Sequence, residues 1–196
     1  MTLVAVAVLL VAGVLGVQVA HGGGDYTPLR PADPCVARPV TSVSKGIEGL
    51  TERLVLIGLD GAACRLHTSR EALTLQLAQP GPRTTAQVNA VRAGLLGAVT
   101  RMKADGTLPR SSGLANEALG KSNLNGFLKA ALRALPDSFI DKNLKTDDVL
   151  RRAINKLDLR AVLGELNDPD ELNKRVNAAV TSAVKDALIA RLRSLL

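Results

Sequence analysis

From Leu3 to Val17 the chain carries no polar side chain, and Gln18 is the only one before His21. As a helix, Leu3 to Ala20 spans about 27 Å, close to the ~30 Å of a bilayer core. The pattern therefore predicts a transmembrane or signal helix over residues 1–21, meeting a membrane through residues 3–20. Ala20 and Gly22 form a small-residue cleavage pair, and a retained single-pass anchor is favoured over cleavage and secretion. Residues 22–43 read as a Gly/Pro-rich linker: Gly22-Gly23-Gly24, then Pro28, Pro31, Pro34 and Pro39. Repeated proline predicts an extended, semi-rigid spacer.

Over residues 44–196 a helical period takes over. Ile47, Leu50, Leu54 and Ile57 share one face of a helix expected to stop near Gly58. An Asp60-Gly61 turn and a short helix over 62–66, carrying Cys64, should follow. Thr68 and Glu71 read as a capping box for a helix with Leu73 and Leu77 inward, ended by Gln79-Pro80-Gly81-Pro82. Thr84 and Gln87 form a second box ahead of the stripe Val88, Val91, Leu95, Ala98, Val99 and Met102. Gly94 and Gly97 lie near that stripe and suit close helix packing.

Residues 108–125 are the least regular, with a candidate sub-boundary near 105–125; the pattern accommodates a helix over 114–119 and another around 127–135. Further on, Val149, Leu150, Ala153, Ile154, Leu157, Ala161 and Leu166 keep one face apolar. Asp168 then reads as an N-cap, with Pro169 at the first helical position and acids behind it. The last helix, apolar at Leu172, Val176, Ala183 and Ala187 among others, should pack on residues 149–166. It is also a candidate surface for a homo-oligomer. The fold class predicted is all-α: the N-terminal helix, the linker, then an irregular bundle of about six to eight helices.

Composition sharpens this picture at two points. Aromatic residues make up 2% of the chain and Trp is absent, so the core must be Leu, Val, Ala and Ile, which suits helices better than a β-sandwich. The net charge of +7 is spread along the chain and reads first as solvated helix faces, then as attraction to an anionic surface. Arg30, Arg38 and Lys45 follow the apolar run, so a positive-inside count would keep the body cytoplasmic.

The two cysteines point the other way. Cys35 and Cys64 are too few for a zinc site, and neither lies in a C-x-x-C. In its Pro-flanked linker Cys35 has no packing role as a free thiol. A Cys35–Cys64 disulfide is expected, closing a loop of about thirty residues at a gain of about 3–4 kcal/mol on the chain-entropy model. It calls for an oxidising compartment. The expected location is thus the cell membrane, single-pass with the body extracytoplasmic, or secreted if the signal is cleaved.

The stretch Ala62-Ala63-Cys64-Arg65-Leu66-His67-Thr68-Ser69-Arg70-Glu71-Ala72-Leu73 resembles the helix-turn-helix core of DNA-binding regulators. That resemblance implies a tight helical hairpin. His67 stands where the family usually has Gly, and the second helix offers only Arg70 as a cation, where a groove reader needs several polar or basic side chains. No nucleic-acid partner is expected.

Neither His21 nor His67 has a partner at catalytic spacing, and no nucleophile-elbow, zinc-helix or phosphate-loop motif occurs. Asp168-Pro169-Asp170-Glu171 lacks the calcium-loop pattern. No catalytic, metal or cofactor residue is assigned, and the chain is not expected to be an enzyme. Its Ala, Leu, Val, Arg and Gly richness resembles that of high-GC bacterial proteins. The function predicted is a membrane-anchored or exported bacterial envelope protein with a binding or scaffold role toward a protein or anionic envelope partner. One alternative is a carrier of an apolar ligand such as lipid, which needs an apolar cavity of roughly 300 Å³ or more. Another is a cytoplasm-facing, membrane-tethered regulator with the helix-turn-helix-like hairpin.

Overall fold

A computed structural model of the chain describes residues 2–23, 29–121, 136–166 and 168–193, with the side chains of the first helix given from Val11 on. Nine helices run through the described residues: α1 Thr2–Ala20, α2 Gly46–Arg65, α3 Arg70–Ala78, α4 Thr85–Ala104, α5 Ser111–Lys121, α6 Asp137–Asn143, α7 Thr146–Lys156, α8 Leu159–Gly164 and α9 Pro169–Arg193. The all-α class follows from the 3.6-residue apolar period of these stretches. Two compact units divide the chain, Met1–Pro31 and Ala32–Leu196.

In the first unit, α1 ends where its glycines begin. Gly22 adopts φ +79°; its N–H bonds the Val19 carbonyl and that of Gly23 bonds the Gln18 carbonyl. This paired closure needs a left-handed residue, which glycine adopts without strain. The transmembrane or signal helix expected over residues 1–21 is corrected: among the described residues no helix is long and apolar enough to cross a membrane. Membrane contact through residues 3–20, the single-pass extracytoplasmic placement and the secreted variant go with it.

The second unit is organised by α2 crossing α4. A Cβ on Gly94 would stand 2.8 Å from the Ala62 nitrogen and against the Gly58 carbonyl, and one on Gly61 would stand 3.3 Å from the Gly94 Cα. Backbone meets backbone there. This is why α2 runs unbroken past Gly58 and Asp60-Gly61, where the sequence predicts a stop and a turn: each small residue is a contact surface. Around the crossing, Ala62, Ala63, Leu73, Leu77, Val88, Ala90, Val91, Leu159 and Leu163 form the core. Both predicted α3 core leucines, and five of the six stripe residues of α4 (Leu95 is half-buried), lie within the buried set.

Helix starts follow local chemistry, with one shift. Thr84 and Gln87 form the predicted reciprocal capping box on α4. On α3 the cap is Ser69, one residue beyond Thr68, and its side chain accepts from the Ala72 N–H at 3.1 Å. The C-terminal apolar face is split into α7 and α8, because Asp158 takes the Ala161 N–H and restarts the helix. Asp168 accepts from the Glu171 N–H at 3.1 Å, capping α9 as its spacing predicts. Contrary to the expected self-association face, Ala183 and Ala187 are buried within the chain, where α9 packs on α7, and Lys156 of α7 pairs with Asp186. The helix expected around Phe127 to Leu135 lies outside the described residues.

Tertiary caps start two helices whose sequences show no local one. Glu117 of α5 accepts the Ile47 N–H at 2.9 Å, placing an acid at the positive end of α2. Asp141 of α6 accepts the Ser112 N–H at 2.8 Å and its hydroxyl at 3.1 Å. So Ser111-Ser112-Gly113, which reads as irregular, opens α5.

Candidate functional site

The second half of the predicted spacer is not a free spacer. From Ala32 it belongs to the helical unit, and residues 32–44 run as a strap over the corner where α2 meets α3. Asp33 turns the chain, its carboxylate accepting the Cys35 N–H at 2.8 Å. Cys35 and Cys64 are joined by a disulfide with Cα atoms 4.9 Å apart. Three residues on, the Arg38 guanidinium hydrogen-bonds Asp60, one helical turn before Cys64.

Asp60 is only 4% exposed. Burying a carboxylate is costly unless it is paired, and here two cations serve it: Arg38, and Arg70 at 3.5 Å from the opposite oxygen. Glu71 completes the group, 3.5 Å from Arg70 and 3.8 Å from Arg38. Its own backbone N–H, followed by the two arginines, holds the Glu71 carboxyl below its ordinary pKa. The bond to Asp60 raises the Arg38 pKa further above its already high value. Arg101 of α4 reaches the Arg38 carbonyl at 3.0 Å, and Ser42 bonds Glu52. One donor is left over: Arg38 Nε is buried without a partner.

The hairpin beneath the strap closes by the same backbone pattern that ends α1. His67 occupies the left-handed position at φ +52°, its N–H bonding the Cys64 carbonyl and that of Thr68 bonding the Ala63 carbonyl. It stands at the turn position that resembles a regulator's glycine. Arg70, the lone cation of the would-be reading helix, is engaged by Asp60 and Glu71.

Two arginines serve the C-terminal ends of helices. Arg92 donates to the carbonyls of Ile154, Asn155 and Leu157 at 2.5, 3.2 and 3.0 Å. Arg83 donates to Leu77 at 2.6 Å and Leu163 at 3.2 Å. These are the unsatisfied C-terminal carbonyls of α3, α7 and α8, the negative poles of their dipoles. A different polar cluster lies at the α5–α7 junction, where the Ser111 hydroxyl bonds the Leu144 carbonyl at 2.5 Å and Thr146 at 2.9 Å. The cleft beside it, about 290 Å³, opens to solvent between Arg110, Asp141, Lys145 and Asp147. Ser112 hydrogen bonds hold Asp141, and Lys103 holds Asp147, below the ordinary aspartate range. His21 bonds the Val17 carbonyl at the end of α1. Among the described residues no group of three or more His, Cys, Asp or Glu is placed to hold a metal ion.

No family model, no curated protein and no solved structure matches this chain. The envelope role is therefore corrected: neither a spanning helix among the described residues nor a relative supports it, and the membrane-tethered regulator falls on the same ground. No relative supports the lipid-carrier alternative either. The anionic envelope partner is corrected with the envelope role, since no relative points to one. The sequence offers a signal for the two cysteines and for Arg70. It holds none for Asp60 or Arg38 as partners, since Asp60-Gly61 has the composition of a turn.

Proposed function

We propose that the chain is a non-enzymatic helical module whose working part is the strap corner, where the chain entering the second unit is tied to a load-resisting point on α2. The observation that carries this reading is the double attachment placed just after the unit boundary. The first unit closes at Pro31, and Cys35 and Arg38 are bound to Cys64 and Asp60 of one helix. Tension on the N-terminal segment passes through the disulfide into the C-terminal end of α2. That end is clamped against α4 at Gly94, so force meets a backbone-to-backbone contact.

Single-molecule pulling between the two chain ends tests this. With the disulfide closed, the 29-residue separation between the cysteines is withheld from extension, shortening the contour gain by roughly 100 Å at full stretch. Rupture of the oxidised chain should come as one high-force event. If α2 peels away from α4 at the same low force in oxidised and reduced chains, the strap corner bears no load and the reading fails.

A further inference from the structure

We infer that the Cys35–Cys64 disulfide is a redox latch: a dithiol that opens it frees the strap while the helical unit stays folded. This rests on the strap corner as the working part of the molecule. Cys35 is exposed and Cys64 half-buried, so the Cys35 sulfur is the accessible point of attack. A thiolate of the dithiol bonds to Cys35 Sγ, the Sγ–Sγ bond breaks, and Cys64 leaves as a thiolate that takes up a proton. The second thiol of the reagent then displaces Cys35, which also ends as a thiol, and the reagent departs as its own disulfide. Two electrons and two protons pass from dithiol to protein.

Once the sulfurs part, little holds the strap. Val36 and Val43 are exposed, Val43 fully, Ala37 and Pro39 face solvent, and Pro34 and Val40 are only half-buried, so the segment buries little apolar surface. What remains is polar: Arg38 on Asp60 and Glu71, the Arg101 bond to the Arg38 carbonyl, and Ser42 on Glu52. The Arg38 fit is incomplete, with Nε buried and unpartnered, and the side chain is 22% exposed to competing water. Closed, the disulfide pins the chain three residues from Arg38 and holds the guanidinium at high effective concentration beside Asp60. Open, that advantage is gone. The core crossing of α2 and α4 contains neither cysteine and has no reason to yield. Asp60 keeps Arg70 when Arg38 leaves, so its burial is still compensated.

Hydrogen exchange with mass spectrometry on the full chain, oxidised and then reduced with dithiothreitol, decides the matter. Exchange of the strap amides that have acceptors, Cys35, Val36 and Ser44, should rise at least tenfold on reduction, while residues 85–104 stay within twofold. Arg38→Ala in the oxidised state should leave the strap amides protected, because the covalent tether remains. Cys35→Ser without reductant should reproduce the reduced pattern. Unchanged strap protection on reduction would overturn the latch and leave a static staple; an equal rise in α2 and α4 would overturn it as global unfolding. Neither result touches the pulling measurement on the oxidised chain, so the load-bearing reading stands or falls separately.

Discussion

Two faces of the same turns of α2 are held by opposite means. At Gly58, Gly61 and Ala62 the helix meets α4 through backbone and methyl-sized groups, with no charge involved. Around Asp60 and Cys64, on another face of the same turns, it is held by a covalent bond and a four-charge group. Close packing has one state: it is indifferent to redox conditions and fails only with the fold. The strap corner has several, since sulfurs can be reduced and carboxylates protonated. Conditional chemistry is thus set directly against an unconditional core, which lets one change while the other persists.

The sharpest break of this contrast is Gly94→Val. The new side chain has no space against the Gly58 carbonyl and the Ala62 nitrogen, and backbone cannot give way cheaply. A loss of about 3 kcal/mol in urea unfolding is expected, at the upper end for overpacking. The loss should be the same with and without dithiothreitol. Asp60→Asn comes next. It leaves Arg38 and Arg70 without their carboxylate, but those heads are 22% and 25% exposed, so the cost should be about 2 kcal/mol rather than the full value for a buried pair. That loss should shrink in the reduced chain, where the strap has already left.

Acid comes third. Glu71, Asp141 and Asp147 all have carboxyl pKa values held below the ordinary range in the folded chain. Each therefore stabilises the fold above the unfolded value of about 4, and that stabilisation drains away as pH falls through the depressed values. Thermal midpoints should stay level from pH 7 to about 5 and fall most steeply below about 4. Asp141→Asn should flatten the acid limb; an unchanged limb would remove that group from the account. The smallest effect has the opposite sign. Gly97 is helical, and a Cβ added there would meet nothing within 4 Å. Gly97→Ala should therefore add about 0.5–1 kcal/mol to the urea-unfolding free energy through helix propensity. Gly94 and Gly97 sit three residues apart, and only one is needed.

How far the sequence speaks depends on whether a contact is local. The Thr84–Gln87 box, the Asp168 cap and the Leu73 and Leu77 face are decided within a few residues, and periodicity reads them. Asp60-Gly61 reads as a turn because its composition is that of a turn; only Gly94, more than thirty residues away, makes it mid-helix. The start of α5 looks irregular until Asp141 supplies its cap. For the site, the cysteine pair stands out by elimination, while Arg38 and Asp60 give no signal, since an ion pair 22 residues apart leaves no spacing to recognise. The first twenty residues show the limit of hydropathy. Their apolar run predicts a membrane helix, and among the described residues none is long and apolar enough to cross one.

Propensity, capping and period act over a turn or two, so the chain's helicity, the caps of α3, α4, α8 and α9 and its core of small and aliphatic side chains are written in local sequence. The assembled fold adds what those forces cannot reach: α2 runs through its glycines, the proline segment becomes a strap, and Asp60 is buried between two arginines. Each of those is a meeting of distant groups, where burial converts an ordinary residue into a contact that no local pattern encodes.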